Sequence, residues 1–457
     1  MLQPQTAEPV QRRGVEAADR RIGPGSAALL VVASMIGTGV FTTTGFLVRD
    51  LRSAPVVLAA WAIGGLVALC GALAYAELVA ALPDNGGEYY LLSRIYHPAL
   101  GFISGFVSLV VGFAAPMAAS AIAFGEYLQR LIPALPPLVA ALALIGAAAA
   151  VHLARVGVGT LVQNATTLLN VALVVLLIGA GVLVTGGATL PEAAPAAGHS
   201  FFSSEFALSL VYVSFAYTGW NAAAYVAGEV RRPSRSLPVA LVGGTLLVTL
   251  LYLGLNWVFL TAAPLEQLAG VVEVGHVAAA HLFGERAATF VTLTVCVGLA
   301  TTVGALTVTG PRIYSAMGAD YPRLRPLVTR SRSGSPLWAT WLQLGLAVVM
   351  IVTASFDDLL ALMGFTLALF SALTLGGVFV LRARAPGLPR PYRTWGHPIT
   401  TSLAILLMLW MIVRAVSEKP LTSLAVLAIL VVGALFYRVL GGGARVQALP
   451  SEISPGE

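Results

Sequence analysis

Apolar residues in this chain gather into runs of 18 or more, separated by short polar stretches. A run of that length is what an α-helix needs to cross about 30 Å of hydrocarbon. Twelve such segments can be marked, near residues 25–48, 54–82, 99–131, 136–154, 160–185, 205–229, 236–261, 286–317, 336–354, 358–382, 399–416 and 421–440. The separators are rich in Pro, Gly and Arg, as in Pro83-Asp84-Asn85-Gly86-Gly87 and Arg231-Arg232-Pro233. None is long enough to hold a soluble domain. The pattern predicts an all-α polytopic membrane protein with twelve transmembrane helices, spans 1 to 12 in chain order.

Composition agrees. Of 457 residues, 58% are hydrophobic and 10% charged, and the mean hydropathy is +0.88. Soluble domains carry about 25% charged residues, so an ordinary cytoplasmic enzyme is excluded. The net charge of +6 reflects topology rather than a nucleic-acid partner. With the N-terminus inside, 20 of the 26 Lys and Arg residues fall on the inner side, as the positive-inside rule demands. Residues 1–24 and 441–457 are then cytoplasmic tails. The first 24 residues lack the apolar core of a cleavable leader, so span 1 is expected to be a membrane helix. Cys70 and Cys296 each lie inside an apolar run and are read as packing residues.

Two spans carry a glycine interruption. Span 1 contains Met35-Ile36-Gly37-Thr38-Gly39, and span 6 contains Phe215-Ala216-Tyr217-Thr218-Gly219-Trp220-Asn221. Gly39 and Gly219 lie 180 residues and five spans apart. Five is odd, so the second unit starts from the opposite face. The expected organisation is a five-plus-five inverted repeat, residues 25–185 and 205–382, with helices 11 and 12 (399–440) appended. Secondary transporters are built this way, with a broken helix in each half.

Each glycine patch alone has two readings. Small residues let membrane helices approach closely; an unwound stretch instead exposes N–H groups to an anionic ligand. The matched pair favours the second. Asn221, costly in mid-membrane without a partner and with none nearby in the chain, is a site candidate. Glu229 and Arg235 form a possible charge pair at the inner end, either gating or simply a solvated helix end. Glu77 and Glu126 near span ends, and Asp357 and Asp358 opening span 10, read as structural. No acidic side chain is evident beside either break. No metal-ligand cluster, hydrolytic constellation or nucleotide-binding Gly-Lys-Ser/Thr motif is present, so no cofactor and no enzymatic activity are expected.

Together these motifs resemble the amino acid-polyamine-organocation superfamily. Met35-Ile36-Gly37-Thr38-Gly39-Val40-Phe41 is similar to its first-helix signature. So is Ala74-Tyr75-Ala76-Glu77-Leu78, followed by Pro83, Gly86-Gly87 and Tyr89-Tyr90. The span 6 run, then Glu229 with Pro233, Arg235 and Pro238, and Arg390-Pro391-Tyr392-Arg393 are similar to the L-type branch. The resemblance implies that Thr38 and Gly39 meet a substrate carboxylate. It implies that backbone carbonyls of Met35, Phe215 and Thr218 meet the α-amino group, that Phe215 is an outer gate, and that Asn221 lies near the substrate. Ile36, Gly37, Ala216, Tyr217, Gly219 and Trp220 complete the substrate-binding set.

One departure stands out. Family members often carry a lysine in span 5 after a Gln-Asn pair; here Gln163-Asn164 is followed by Asn170 at that position. Asn cannot titrate, which argues against proton coupling there. Thr301 and Thr302 in span 8, either cation ligands or helix-packing threonines, are the other coupling candidates. The expected function is movement of neutral amino acids across the cytoplasmic membrane by exchange or facilitated diffusion. A transporter of polyamines or other small amines, an ion-coupled symporter, and a channel or receptor are the alternatives. The partners are a small-molecule substrate and the lipid bilayer.

Overall fold

A computed structural model describes residues 22–153, 160–191, 201–329 and 336–440. The tails expected at 1–24 and 441–457 lie outside the described residues, apart from 22–24. Every regular element among those described is a helix. The first span is broken into α1 (Pro24–Met35) and α2 (Thr38–Leu51), bent by 40°. There follow α3 (Ala54–Ala81), the short α4 (Gly87–Ile95), α5 (Pro98–Leu131), α6 (Pro137–Leu153), α7 (Thr160–Thr185) and α8 (Ser204–Ala216). The chain continues through α9 (Pro233–Ala262), α10 (Val274–Phe283), α11 (Glu285–Asp320), α12 (Leu337–Thr353), α13 (Phe356–Arg384), α14 (Ile399–Glu418) and α15 (Pro420–Val439). This is an all-α, multi-pass membrane protein.

Each of the twelve predicted segments holds helix, but length alone does not establish twelve crossings. Among the described residues, eight helices are long and apolar enough to cross, and the α1–α2 pair makes a ninth if it is one span. The apolar helices at Pro137–Val151, Ser204–Ala216 and Leu337–Thr353 fall short. Span 6 departs most from expectation. Its second half is not an α-helix but a 3-10 stretch, Ala222–Glu229, with Val226 outside helical geometry. α5 and α9 each contain a π turn beside a proline, at Ser108–Ala114 before Pro116 and Val239–Gly243 after Pro238. A proline lacks an N–H, and the wider turn absorbs the lost bond.

Burial sorts the helices into centre and rim. In α13, 78% of the apolar window is buried, against 22% in α7 and 11% in α15. α13 packs against α8, α3 and α14, whereas Leu183 and Leu421 stand 83% exposed, as lipid-facing residues should. Cys70 and Cys296 are both buried and unbonded, matching the packing role expected of them.

The two ends of the bundle are closed differently. At the arginine-rich end, Glu77 near the end of α3 is almost fully buried. Arg382 donates to it through two nitrogens, Nε to Oε1 at 2.8 Å and Nη2 to Oε2 at 2.7 Å. The Thr394 N–H adds a third bond at 2.7 Å. Such bidentate pairing satisfies a buried carboxylate and ties α3 to the connection after α13. At the opposite end, Lys419 lies 2.9 Å from Asp357, and Arg49 lies 3.8 Å from the same carboxylate. These pairs are more exposed.

Candidate functional site

The first break is two residues long. Met35 ends α1, Ile36 is extended (φ −76°, ψ 92°), and Gly37 takes φ −147°, ψ −142°. No side chain caps α2. A helix of 14 residues thus begins inside the protein with its first-turn N–H groups, from Thr38 onward, lacking intrahelical partners. The helix dipole places partial positive charge there. A Cβ built on Gly37 would meet nothing within 4 Å, so the break borders open space. The Thr38 hydroxyl lies 2.8 Å from the Ser120 hydroxyl on α5, and Thr42 donates back to the Thr38 carbonyl at 2.8 Å.

The second break crosses the first. α8 ends at Ala216, and the chain turns through Tyr217, Thr218, Gly219, Trp220 and Asn221 before the 3-10 stretch. Gly219 has φ +98°, a conformation open to glycine and rare in other residues. Its missing side chain also matters, because a Cβ there would lie 2.6 Å from the Ser34 carbonyl carbon on α1. Reciprocally, a Cβ on Gly39 would lie 2.5 Å from the Ala216 Cα. Each interruption therefore packs its glycine on the other span's first half. For Gly39, close helix contact is the observed role; for Gly37, it is not.

A residue from a third helix joins the breaks. The Tyr252 hydroxyl of α9, fully buried, sits 2.5 Å from the Met35 carbonyl oxygen and 3.1 Å from that of Ala216. One hydroxyl carries one proton, so it satisfies one of these helix-end carbonyls at a time. Its ring lies against Trp61 and Tyr217, and Tyr217 donates to the Trp61 carbonyl at 3.1 Å. One turn along α9, Asn256 accepts a bond from Thr44 of α2 and donates to the Tyr252 carbonyl. Tyr252 is not among the residues that the sequence singles out. Its signal was a phenol and an amide four residues apart in an otherwise apolar span. The carbonyls expected for an α-amino group are also partly engaged: Met35 by Tyr252, and Phe215 by the Thr218 N–H at 2.9 Å.

Trp220 and Asn221 face away from this crossing. Trp220 meets Tyr75 of α3 edge-on at 4.6 Å. Asn221 has no partner nearby in the chain but finds one distant in sequence, and the expectation that no acid lies beside either break is overturned. Asn221 Nδ2 donates to Glu88 Oε1 at 3.3 Å, and the Tyr75 hydroxyl donates to the same oxygen at 2.5 Å. Glu88 opens α4, far from Asn221 in sequence, which is why local reading missed the pair. Its signal was an acid directly after Gly86-Gly87. A cavity of about 30 Å³ lies beside the break, lined by Thr218, Asn221, Ser214, Ser371 and Met408 among others. It has room for water and not for an amino acid.

The remaining candidates separate. Phe215 is buried at the end of α8. Asn170 on α7 is pressed against Gly298 of α11, where a Cβ would meet its amide at 2.6 Å, and its Oδ1 has no hydrogen-bond partner among the described residues. Thr301 lies 3.5 Å from Thr166, but its hydroxyl donates to the Val297 carbonyl, and Thr302 likewise donates to Gly298. Both threonines thus satisfy themselves on their own helix. Glu229 and Arg235 are exposed and form no ion pair with each other. The proposed charge pair is not there; instead the Glu229 carbonyl accepts from the Ile22 N–H at 3.0 Å. Solvation of two exposed side chains outweighs the weak attraction of a surface pair.

Comparison with known proteins fits this arrangement. The chain is 27% identical to the serine/threonine exchanger of Bacillus subtilis strain 168 over 395 residues, covering 84% of this chain and 89% of the relative. It is 27% identical over 441 residues to the human large neutral amino acids transporter small subunit 2, covering 93% and 81%. It is 26% identical over 437 residues to the mouse b(0,+)-type amino acid transporter 1, covering 92% and 87%. The family model described as "Amino acid permease" matches residues 22–436. With two crossed helix breaks inside a helical membrane bundle and a match over nearly its whole length, the chain belongs to the amino acid permease family.

Proposed function

We propose that the protein is a secondary transporter of neutral amino acids that works by alternating access, as an exchanger or facilitated carrier. The observation that carries this reading is the uncapped start of α2 beside the open space at Gly37. First-turn N–H groups there suit a carboxylate, and the helix-end carbonyls of Met35 and Ala216 suit an ammonium. The printed names of the relatives, a serine/threonine exchanger and a large neutral amino acid transporter subunit, support the same substrate class. On this reading Gly37, Thr38 and Gly39 hold the carboxylate and Phe215 closes the outer side. Residues 25–185 and 205–382 are the two repeats, 399–440 the appended pair, and the tails are cytoplasmic in the cell membrane.

Glu88 gives the small-amine alternative a specific footing, since an acid does touch the second break. It is a weak anchor for a cation, because Tyr75 and Asn221 already occupy Oε1 and burial raises the carboxyl above its usual range. A thermal-shift panel on purified protein discriminates the two. Serine, threonine, alanine and leucine should stabilise it more than arginine, glutamate, putrescine or spermidine. Tighter binding of the amines would overturn the neutral amino acid reading.

A further inference from the structure

The arginine-rich end contains a seam with one buried carboxyl in it, Glu88, while Asp84 and Glu229 at its edges are exposed. The connection between α3 and α4, with the first turn of α4, meets Asn221 and the 3-10 stretch of the sixth span through three sets of polar contacts. The Gly86 N–H donates to the Tyr225 carbonyl at 3.2 Å, and the Gly228 N–H donates to Asn85 Oδ1 at 3.0 Å. The third set is the Glu88 carboxyl with Asn221 and Tyr75. Gly87 packs on the Tyr225 ring, where a Cβ would lie 2.6 Å from Cε1. The seam is tightly packed at Gly87 and adjoins the second break at Asn221, with Asn85 exposed at its edge.

We propose that Glu88 is a proton-binding site that governs this seam: protonated while the seam is closed, and deprotonated as the seam opens and water reaches it. Glu88 is 7% exposed. Among the described residues it forms no ion pair, and the donors at Oε1 are both neutral. An ionised carboxylate held this way is costly, whereas a neutral acid is not. The surrounding groups do not change this. α5, packed along α4, has no titratable side chain over Pro98–Val107. α3 contributes Tyr75 and the 3-10 stretch contributes Tyr225, both phenols. On α4 itself, Tyr90 donates to Asp84, and the Arg94 guanidinium lies over the Tyr90 ring at 5.6 Å. From α13, Arg382 is engaged by Glu77, and Arg384 reaches the Ile95 carbonyl at 3.4 Å.

The sign follows from linkage. Burial, the largest influence, raises the Glu88 carboxyl above its ordinary value, outweighing the bonds from Tyr75 and Asn221. A group raised by closure stabilises the closed seam fully below its ordinary pKa, and that stabilisation is lost as pH rises through the raised value. The proton leaves to, and returns from, the solution on the side that opens. It therefore shifts the balance between closed and open seam without driving transport across the membrane. The inference rests on the alternating-access reading for its functional meaning, but its physical test does not.

Hydrogen exchange of the full-length protein, followed by mass spectrometry over peptides spanning residues 83–90 and 222–230, reads the seam directly. After correction for intrinsic exchange, these amides should lose protection as pH rises from the ordinary carboxyl value to the raised one, by up to about tenfold per pH unit within that window, and level off above it. Glu88→Gln, a stand-in for the protonated acid, should keep them protected throughout. Glu88→Asp should restore a pH response. Infrared difference spectra of wild-type protein labelled with ¹³C-glutamate keep the test independent of any variant's folding: a buried protonated carboxyl should disappear as the seam loses protection. A pH-independent seam in wild-type protein, or an unchanged profile in Glu88→Gln, would overturn the proposal. Counterflow of labelled serine then separates the two readings. Failure to exchange serine or any neutral amino acid, with the seam response intact, would remove the transport reading and leave the proton site standing.

Discussion

The two interruptions share a glycine-rich sequence but differ in construction. The first is a clean break of two residues between α-helices, with open space at Gly37 and an uncapped helix start. The second is a five-residue turn into a 3-10 stretch, walled by Trp220 and Tyr75 and joined to Glu88. The first therefore leaves helix-start N–H groups uncapped beside open space, while the second spends its polar side chains on the protein. Gly39 and Gly37 make the same contrast within one break. One lets two backbones touch; the other leaves room.

Breaking the contact at Gly39 should have the largest effect. Gly39→Val drives a side chain into the Ala216 backbone, and overpacking of this kind costs about 1–3 kcal/mol. Substrate binding should weaken by about 10–100-fold in protein that still inserts and elutes as a single species. Gly37→Ala sharpens the comparison, because nothing lies within 4 Å of the added methyl. Thermal stability should stay within about 0.5 kcal/mol of the wild type, with weaker binding in a titration. Unaltered affinity in either variant would place the ligand elsewhere.

Tyr252→Phe ranks next. Removing the hydroxyl leaves the Met35 and Ala216 carbonyls without their shared donor, a loss of about 1–2 kcal/mol. Serine counterflow should slow by about tenfold, with a fall in melting temperature. A rate equal to wild type would show that the phenol only fills space. The smallest effect belongs to Asn170→Ala. Asn170 lies on α7 with one amide oxygen unpartnered, and counterflow should change by less than about threefold without altering its pH dependence.

Much of this was legible in the sequence, for identifiable reasons. Apolar runs report helix positions because the bilayer imposes length and polarity together, and the paired glycines mark where two spans lose their ladders. What stayed hidden was pairing across long sequence distances. Asn221 seemed partnerless because Glu88 lies in a separate connection. Glu77 was recognised as structural, but its fork with Arg382 joins residues 305 apart. Tyr252 lies in an apolar span whose period gives no hint that its hydroxyl reaches two other helices. The 3-10 geometry after Asn221 was also unreadable, since Ala222-Ala223-Ala224 favours an α-helix on propensity alone; tertiary packing at the seam prevails.

Exchange of neutral amino acids at these crossed breaks, without proton drive through α7, has a direct measurement. Purified protein is reconstituted into proteoliposomes, either loaded with unlabelled serine or empty, and uptake of labelled serine is followed with and without an imposed pH gradient. Uptake into loaded vesicles should exceed that into empty ones severalfold, and the pH gradient should not concentrate serine in empty vesicles. Concentrative uptake into empty vesicles driven by the pH gradient alone, and lost in Asn170→Ala, would contradict the account.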